Sequence, residues 1–295
     1  LTGIRHHITA RLARSLRKTA APPPQPTDAH DLDNNPRFRI VRDIHSRFLP
    51  DDRDLFIYLP EAYLNESYRR FPVFYLHDGQ NLFDDRTSYV PGCTWRAHTT
   101  ADALTAQGLI EPVILVGIAN TGLRRMAEYT PTRDARSNGG EGYLYGKLLV
   151  QDLKPHIDRT LRTLTSAADT ALGGSSLGGL ISLALGLEYP QVFGKLAVLS
   201  PSVWWDRRSI LQLVGEAKPK PALKIWLDMG TAEGLRHLRD TDLLHSRLLA
   251  LGWRETGLAP DLHYMRVPGG THGEQAWATR FADVLRFLFP AQDTK

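Results

Sequence analysis

The residues of this chain best placed to do chemistry lie in Thr170-Ala171-Leu172-Gly173-Gly174-Ser175-Ser176-Leu177-Gly178-Gly179-Leu180. Gly174-Ser175-Ser176-Leu177-Gly178 fits G-x-S-x-G, a pattern in which a sharp strand-to-helix turn lifts a serine Oγ above a sheet. Only Ser176 centres it, because centring on Ser175 puts Leu177 where the second glycine belongs. Ser176 is therefore the expected nucleophile of a serine hydrolase, with Ser175 left as a packing residue. Glycines two before and two after the serine allow the tight turn without a Cβ clash.

A serine hydroxyl attacks only when a base accepts its proton, and the base needs an orienting carboxylate. Where the order along the chain is serine, acid, histidine, the base lies downstream of Ser176. His237 and His245 fall within an amphipathic helical pattern and His263 within a strand pattern. His272 alone sits in a Gly-rich loop just past a strand end, where catalytic side chains of open parallel sheets gather. It is the expected base. For the acid, Asp228 and Glu233 both follow the apolar run 223–227, and position does not separate them. A serine–histidine dyad with no dedicated acid is a further alternative. Donors to an oxyanion are expected from Leu177 N–H and from the Gly79-Gln80 turn. His77, Asp78, Asp84 and Asp85 match no zinc or calcium spacing, so neither metal nor cofactor is expected.

Positioning these residues requires strands alternating with helices. Residues 38–48 and 54–59 read as an antiparallel pair, and 73–76, 113–118, 196–200, 223–227 and 263–267 as further strands. Helical patterns cover 95–107, 143–161 (divided near Pro155), 177–188, 235–251 and a terminal segment through Trp277, Phe281, Val284 and Leu288. This alternation implies an α/β fold with a mostly parallel sheet covered on both faces. The polar loop 120–142 is long enough to expect a function for it. Tyr129, Trp204 and Trp205 could wall a pocket for an aromatic acyl group, the alternative being that one or both tryptophans are core; Arg124 and Arg125 either draw in anionic substrates or stand in a solvated loop.

The chain of 295 residues has a net charge of +4. Residues 1–27 hold Arg5, Arg11, Arg14, Arg17 and Lys18 and no acid, which is +5, so the remainder sums to 4 − 5 = −1. A nearly neutral body does not suit a nucleic-acid partner. Ile4, Ile8, Leu12 and Leu16 recur among those cations as a short basic amphipathic helix, read first as a frayed solvated extension and alternatively as a weak contact with an anionic membrane surface. Pro22-Pro23-Pro24-Gln25-Pro26 then acts as a stiff linker. The expected organisation is an extension over 1–34 and a catalytic domain over 35–295. No apolar run approaches the ~20 residues of a membrane-spanning helix. The single cysteine, Cys93, excludes an internal disulfide and fits the cytoplasm, although disulfide-free secreted or periplasmic hydrolases share that trait.

Six stretches together resemble the esterase-D-like "putative esterase" family of α/β-hydrolases. They are Phe74-Tyr75-Leu76-His77-Asp78-Gly79-Gln80-Asn81-Leu82-Phe83-Asp84, Gly173 to Gly179, Ser200-Pro201-Ser202-Val203-Trp204-Trp205-Asp206, Asp228-Met229-Gly230-Thr231-Ala232-Glu233, Glu128-Tyr129-Thr130-Pro131 and Gly270-Thr271-His272. The family includes siderophore, feruloyl and acetyl-xylan esterases, S-formylglutathione hydrolase and mycolyltransferases. The cysteines typical of S-formylglutathione hydrolase are absent. The resemblance implies an α/β-hydrolase fold without a large cap domain and acyl transfer from an ester through Ser176. It implies His272 as base, Glu233 as acid because the family's G-T-x-D/E position falls there, and Gln80 and Leu177 N–H as oxyanion donors. An acyltransferase, or an inactive binding protein that has kept the fold, is the alternative.

Overall fold

The computed structural model describes residues 32–291. The expected basic helix and the proline-rich linker lie outside the described residues. Leu32 is buried and Asp33 pairs with Arg86, so both residues are packed against the body.

Strands β1 (Phe38–Ile44), β2 (Arg53–Tyr58), β3 (Val73–His77), β4 (Ile114–Ile118), β5 (Thr170–Ser175), β6 (Lys195–Leu199), β7 (Lys224–Gly230) and β8 (Leu262–Val267) form one eight-stranded sheet. Its order is β1-β2-β4-β3-β5-β6-β7-β8. β1–β2 and β2–β4 run antiparallel, and every later pair is parallel. Parallel strands require crossovers, which the intervening helices supply.

Both faces of the central strands are buried, and strand alternation assigns each residue to one of them. Leu55, Ile57, Val73, Tyr75, Leu172, Val198 and Leu227 enter one apolar cluster. Phe56, Tyr58, Phe74, Leu76, Ala171, Leu199 and Trp226 enter the other. Helix α1 (Ala97–Ala106) covers the second face together with α6 (Glu274–Leu288), through Leu104, Phe281 and Val284. The first face carries α2 (142–160), α3 (Leu177–Glu188), α4 (Ser209–Glu216) and α5 (Leu235–Ala250). α2 is α-helical over Gly142–Lys147 and Lys154–Thr160, with a wider π turn at Leu148–Leu153 between them. The turn falls just before Pro155, which lacks an N–H and crowds the preceding carbonyls. α3 is apolar nearly all round because it lies in the core, and it stops at Tyr189-Pro190. Among the described residues, no helix is long and apolar enough to cross a membrane.

The predicted strands all form, with one shift that matters. β7 continues through Asp228 to Gly230 instead of ending at 227, so Asp228 is a sheet residue paired with Leu199 and Met265. Within the second face, Phe74 is fully buried, with ring centroids 6.0 Å from Phe281 and 5.6 Å from Phe289. Phe74→Ala should lower stability by about 3–5 kcal/mol through transfer and cavity terms. Urea denaturation measures it, and a loss below about 1 kcal/mol would show that this face is not tightly packed.

Candidate active site

The chemistry-bearing residues converge beyond the carboxyl ends of the parallel strands, where the strand order reverses. Ser176 joins β5 to α3 with φ 58° and ψ −121°, a conformation that L-residues rarely adopt. Its N–H donates to Leu199 O at 3.0 Å, and its carbonyl accepts from Leu180 N–H and Ser202 N–H, both at 3.1 Å. The flanking glycines are needed because His77 lies beneath the turn. A Cβ on Gly174 would stand 3.0 Å from the His77 Cβ, and one on Gly178 would stand 3.3 Å from it. His77 itself is buried, hydrogen-bonded to Tyr145 Oη at 2.9 Å, and its pKa is lowered to about 3, chiefly by burial.

His272, in the loop between β8 and α6, brings Nε2 to 3.0 Å from Ser176 Oγ and Nδ1 to 2.6 Å from Glu233 Oε2. Its ring is 43% exposed, whereas the Glu233 side chain is fully buried. The other Glu233 oxygen accepts from Ser200 Oγ at 2.6 Å and from Gly230 N–H at 2.9 Å. Burial pushes the Glu233 carboxyl up, but the hydrogen bonds from His272, Ser200 and Gly230 prevail and hold it below its ordinary value. Glu233 is thus an ionised acceptor aimed at the imidazole.

Asp228 is not in contact with His272. It lies inside the sheet and accepts from Trp226 Nε1 at 2.7 Å and Ser200 N–H at 3.1 Å, with Arg280 Nη1 at 3.4 Å. Of the two carboxylates left open by position, the structure brings Glu233 to the histidine and turns Asp228 into the core.

The aromatic expectations need correction. Tyr129 is fully buried and walls no pocket. Its ring packs between His77 and Tyr145, and its Oη accepts Asp78 N–H at 3.2 Å. Loop 120–142 is therefore anchored in the body, and the buried Arg53–Glu128 ion pair beside Tyr129 is part of that anchor. Trp205 is also core, with its indole N–H donating to Thr132 O at 2.9 Å. Trp204 is 39% exposed but does not line the cleft at Ser176. Arg125 does reach the cleft, yet its Nε and Nη2 bind the two Asp78 oxygens, each at 2.7 Å, so its charge is matched. Arg124 pairs with Glu141 and Asp51. Gln80 lies in the 3₁₀ turn Gly79–Asn81, its side-chain oxygen accepting Asn120 N–H at 3.3 Å, and Leu177 opens α3.

The cleft measures about 890 Å³. Sequence reasoning missed much of its wall: Tyr89, Val90 and Leu123 are exposed apolar residues at its edge, with Asn81, Glu274 and Trp277 further in. Exposed Leu123 in a polar loop was the available signal. Among the described residues, no group of three or more His, Cys, Asp or Glu is placed to hold a metal. Asp84 binds Arg86, and Asp85 binds Arg96 and Thr94.

With this geometry in view, a family model described as "Putative esterase" matches residues 46–288. The chain belongs to that family. The esterase is 27% identical over 251 residues to uncharacterized protein YbbA of Bacillus subtilis, covering 81% of this chain and 93% of the relative. It is 29% identical to an endo-1,4-beta-xylanase/feruloyl esterase of Xylanibacter ruminicola, over 79% of this chain and 29% of that one. With the iron(III) salmochelin esterase of Escherichia coli it shares 26% identity, over 68% of this chain and 47% of the relative. Among solved structures, an IroE-like serine hydrolase from Shewanella oneidensis superposes with a TM-score of 0.68 at 25% identity, over 85% of this chain and 80% of that one. The expected α/β-hydrolase fold and family are thereby established, and the protein is a carboxylic-ester hydrolase.

Burial pushes the Asp228 carboxyl up to about 6, against the pull of Arg280, the Trp226 indole and Ser200 N–H. An acid raised in the folded state contributes stability below its unfolded pKa of about 4 and loses it as pH rises through the folded value. Asp228→Asn removes that titration. Its denaturation midpoint should therefore fall less than the wild type's between about pH 4 and pH 7. Parallel pH curves for the two proteins would contradict this.

Proposed function

We propose that the esterase hydrolyses carboxylic esters through an acyl-enzyme on Ser176, with His272 as base and Glu233 as orienting acid. The observation carrying this reading is the line of hydrogen bonds from Ser176 Oγ to His272 Nε2 at 3.0 Å and from His272 Nδ1 to Glu233 Oε2 at 2.6 Å. With Glu233 ionised and accepting Nδ1–H, Nε2 is left as the acceptor that faces the serine. Oγ attacks the ester carbonyl as Nε2 takes its proton. The resulting imidazolium, stabilised by Glu233, returns that proton to the departing alkoxide. Water, deprotonated by the same nitrogen, then releases the acid and regenerates Ser176.

The tetrahedral oxyanion is received by the N–H groups of Gln80 and Leu177. Gln80 is the second residue of its 3₁₀ turn and Leu177 the first of α3, positions where amide protons have no partner within the helix. Asp78, in a left-handed conformation and held by Arg125 and Asn120, sets the approach of the Gln80 turn.

The substrate is an ester of an aromatic acyl group of feruloyl type, or a siderophore ester. Tyr89, Val90, Leu123 and Trp277 supply apolar surface beside Ser176, and the feruloyl and salmochelin esterases among the relatives act in the same direction. The charge of Arg125, already matched by Asp78, adds no pull on an anion.

Ser176→Ala should abolish fluorophosphonate labelling and lower kcat by about 10⁴-fold or more, and Glu233→Gln should lower it by about 10²–10⁴-fold. Methyl ferulate and a catecholate siderophore ester should exceed methyl acetate in kcat/KM. Full activity in Ser176→Ala would end the mechanistic reading, and a preference for acetate would end the substrate reading.

A further inference from the structure

The segment after β6 touches both halves of the site. Leu199 O and Ser202 N–H hold the Ser176 backbone, and Ser200 between them holds Glu233. Ser200 is buried, with φ 41°, a left-handed value for a residue that is not glycine. Its hydroxyl meets three groups: Trp277 Nε1 at 3.0 Å, Arg280 Nη2 at 2.8 Å and Glu233 Oε1 at 2.6 Å. The first two can only donate, and an ionised carboxylate can only accept. Proton accounting therefore leaves one arrangement, in which Ser200 Oγ accepts from the indole and the guanidinium and donates its own proton to Glu233.

Arg280 is buried between two carboxylates. Nη1 lies 3.4 Å from Asp228 Oδ1 and Nη2 3.5 Å from Glu233 Oε1, so neither direct contact is a tight one. Two short hydrogen bonds, of 2.8 and 2.6 Å, link the cation to the acid through the serine hydroxyl.

We propose that Ser200 is a positioning residue that relays the charge of Arg280 to Glu233, occupying Oε1 so that Oε2 alone serves His272. The inference rests on the reading of Ser176, His272 and Glu233 given above. Asp228 becomes the counter-charge that keeps Arg280 neutralised within the sheet. Neither Ser200 nor Arg280 touches the cleft at Ser176. Both act through Glu233.

The charged and titratable groups facing the histidine–glutamate pair are Ser176 on the α3 side, Asp228 from β7 and Arg280 from α6. Glu274, Asp78 and Arg125 lie along the same cleft. Removing the cation, or the hydroxyl proton that Ser200 donates to Oε1, leaves the negative charge of Glu233 less dispersed. The imidazolium of His272 is then better stabilised, so His272 should titrate at higher pH.

The test uses the whole chain and three variants, Ser200→Ala, Ser200→Gly and Arg280→Gln. Nitrogen-15 NMR of labelled histidine, with the His272 signal assigned by comparison with His272→Gln, reads the titration without any ester. The His272 signal should titrate at higher pH in Ser200→Ala and in Arg280→Gln than in wild type. With an ester substrate at acidic to neutral pH, both Ser200 variants should lose several-fold in kcat, because more of the imidazole is held protonated and cannot take the Oγ proton, with KM changed by less than about twofold. Alanine and glycine differ in how they tolerate φ 41° but both lack the hydroxyl, so equal losses assign the effect to the hydroxyl.

A His272 titration unmoved in folded Ser200→Ala, kcat within about twofold of wild type, or recovery of activity in the glycine variant overturns the proposal. Should Arg280→Gln fail to fold, the Ser200 pair decides it. Wild type that neither cleaves esters nor accepts a fluorophosphonate would defeat the reading of the site, whereas the NMR titration still reports on the relay.

Discussion

The constraint on which the site depends is the backbone of Ser176, held at φ 58° and ψ −121°. Such a conformation costs about 1–3 kcal/mol and persists only where its surroundings fix it. Here the fixing is physical and close at hand. The Ser176 N–H is tied to the end of β6, and its carbonyl is tied to both Leu180 and Ser202. His77 fills the space beneath, which is why Gly174 and Gly178 are glycines. The strain sets the direction of Oγ, and the parallel sheet supplies the rigid edge against which it is maintained. A loop could not hold that geometry as well.

A second constraint is electrostatic. The site needs an ionised carboxylate behind its histidine, and Glu233 carries one with no solvent access. Burying an unpaired charge costs several kcal/mol, so the carboxylate must be saturated with donors. Gly230 N–H, Ser200 Oγ and His272 Nδ1 provide them. Arg280 compensates both Glu233 and Asp228, the acid in the sheet beneath. The four residues Leu199 to Ser202 thus hold the nucleophile's backbone and the acid's carboxylate together, which couples the two ends of the hydrogen-bonded line to one strand end.

Much of this was legible in the chain. The elbow pattern, the alternation of apolar strands with helices and the Gly-rich position of His272 led to the sheet and to the serine–histidine contact. Asp228 against Glu233 could not be decided by position. The apolar run ends at 227, but the strand continues to Gly230, and what permits a carboxylate inside it is Arg280, far downstream in sequence. Tyr129 misled for a related reason. An aromatic in a long polar loop is expected at a pocket wall, whereas here the loop is bound into the body by the buried Arg53–Glu128 pair and by Asp78 N–H on Tyr129 Oη. The residues at the cleft edge, Tyr89, Val90 and Leu123, belong to no periodic element, so no pattern announced them. Local motifs carried the chemistry, and long-range ion pairs decided which side chains face it.

The central claim is that an acyl group passes through Ser176 Oγ. Rapid acid quench during turnover of a p-nitrophenyl ester, followed by peptide mass spectrometry, measures it directly. The peptide containing Ser175 and Ser176 should gain the mass of the acyl group, with fragmentation placing it on Ser176 and no adduct in Ser176→Ala. Steady ester turnover with the acyl group on another residue, or an undiminished rate in Ser176→Ala, would contradict the account.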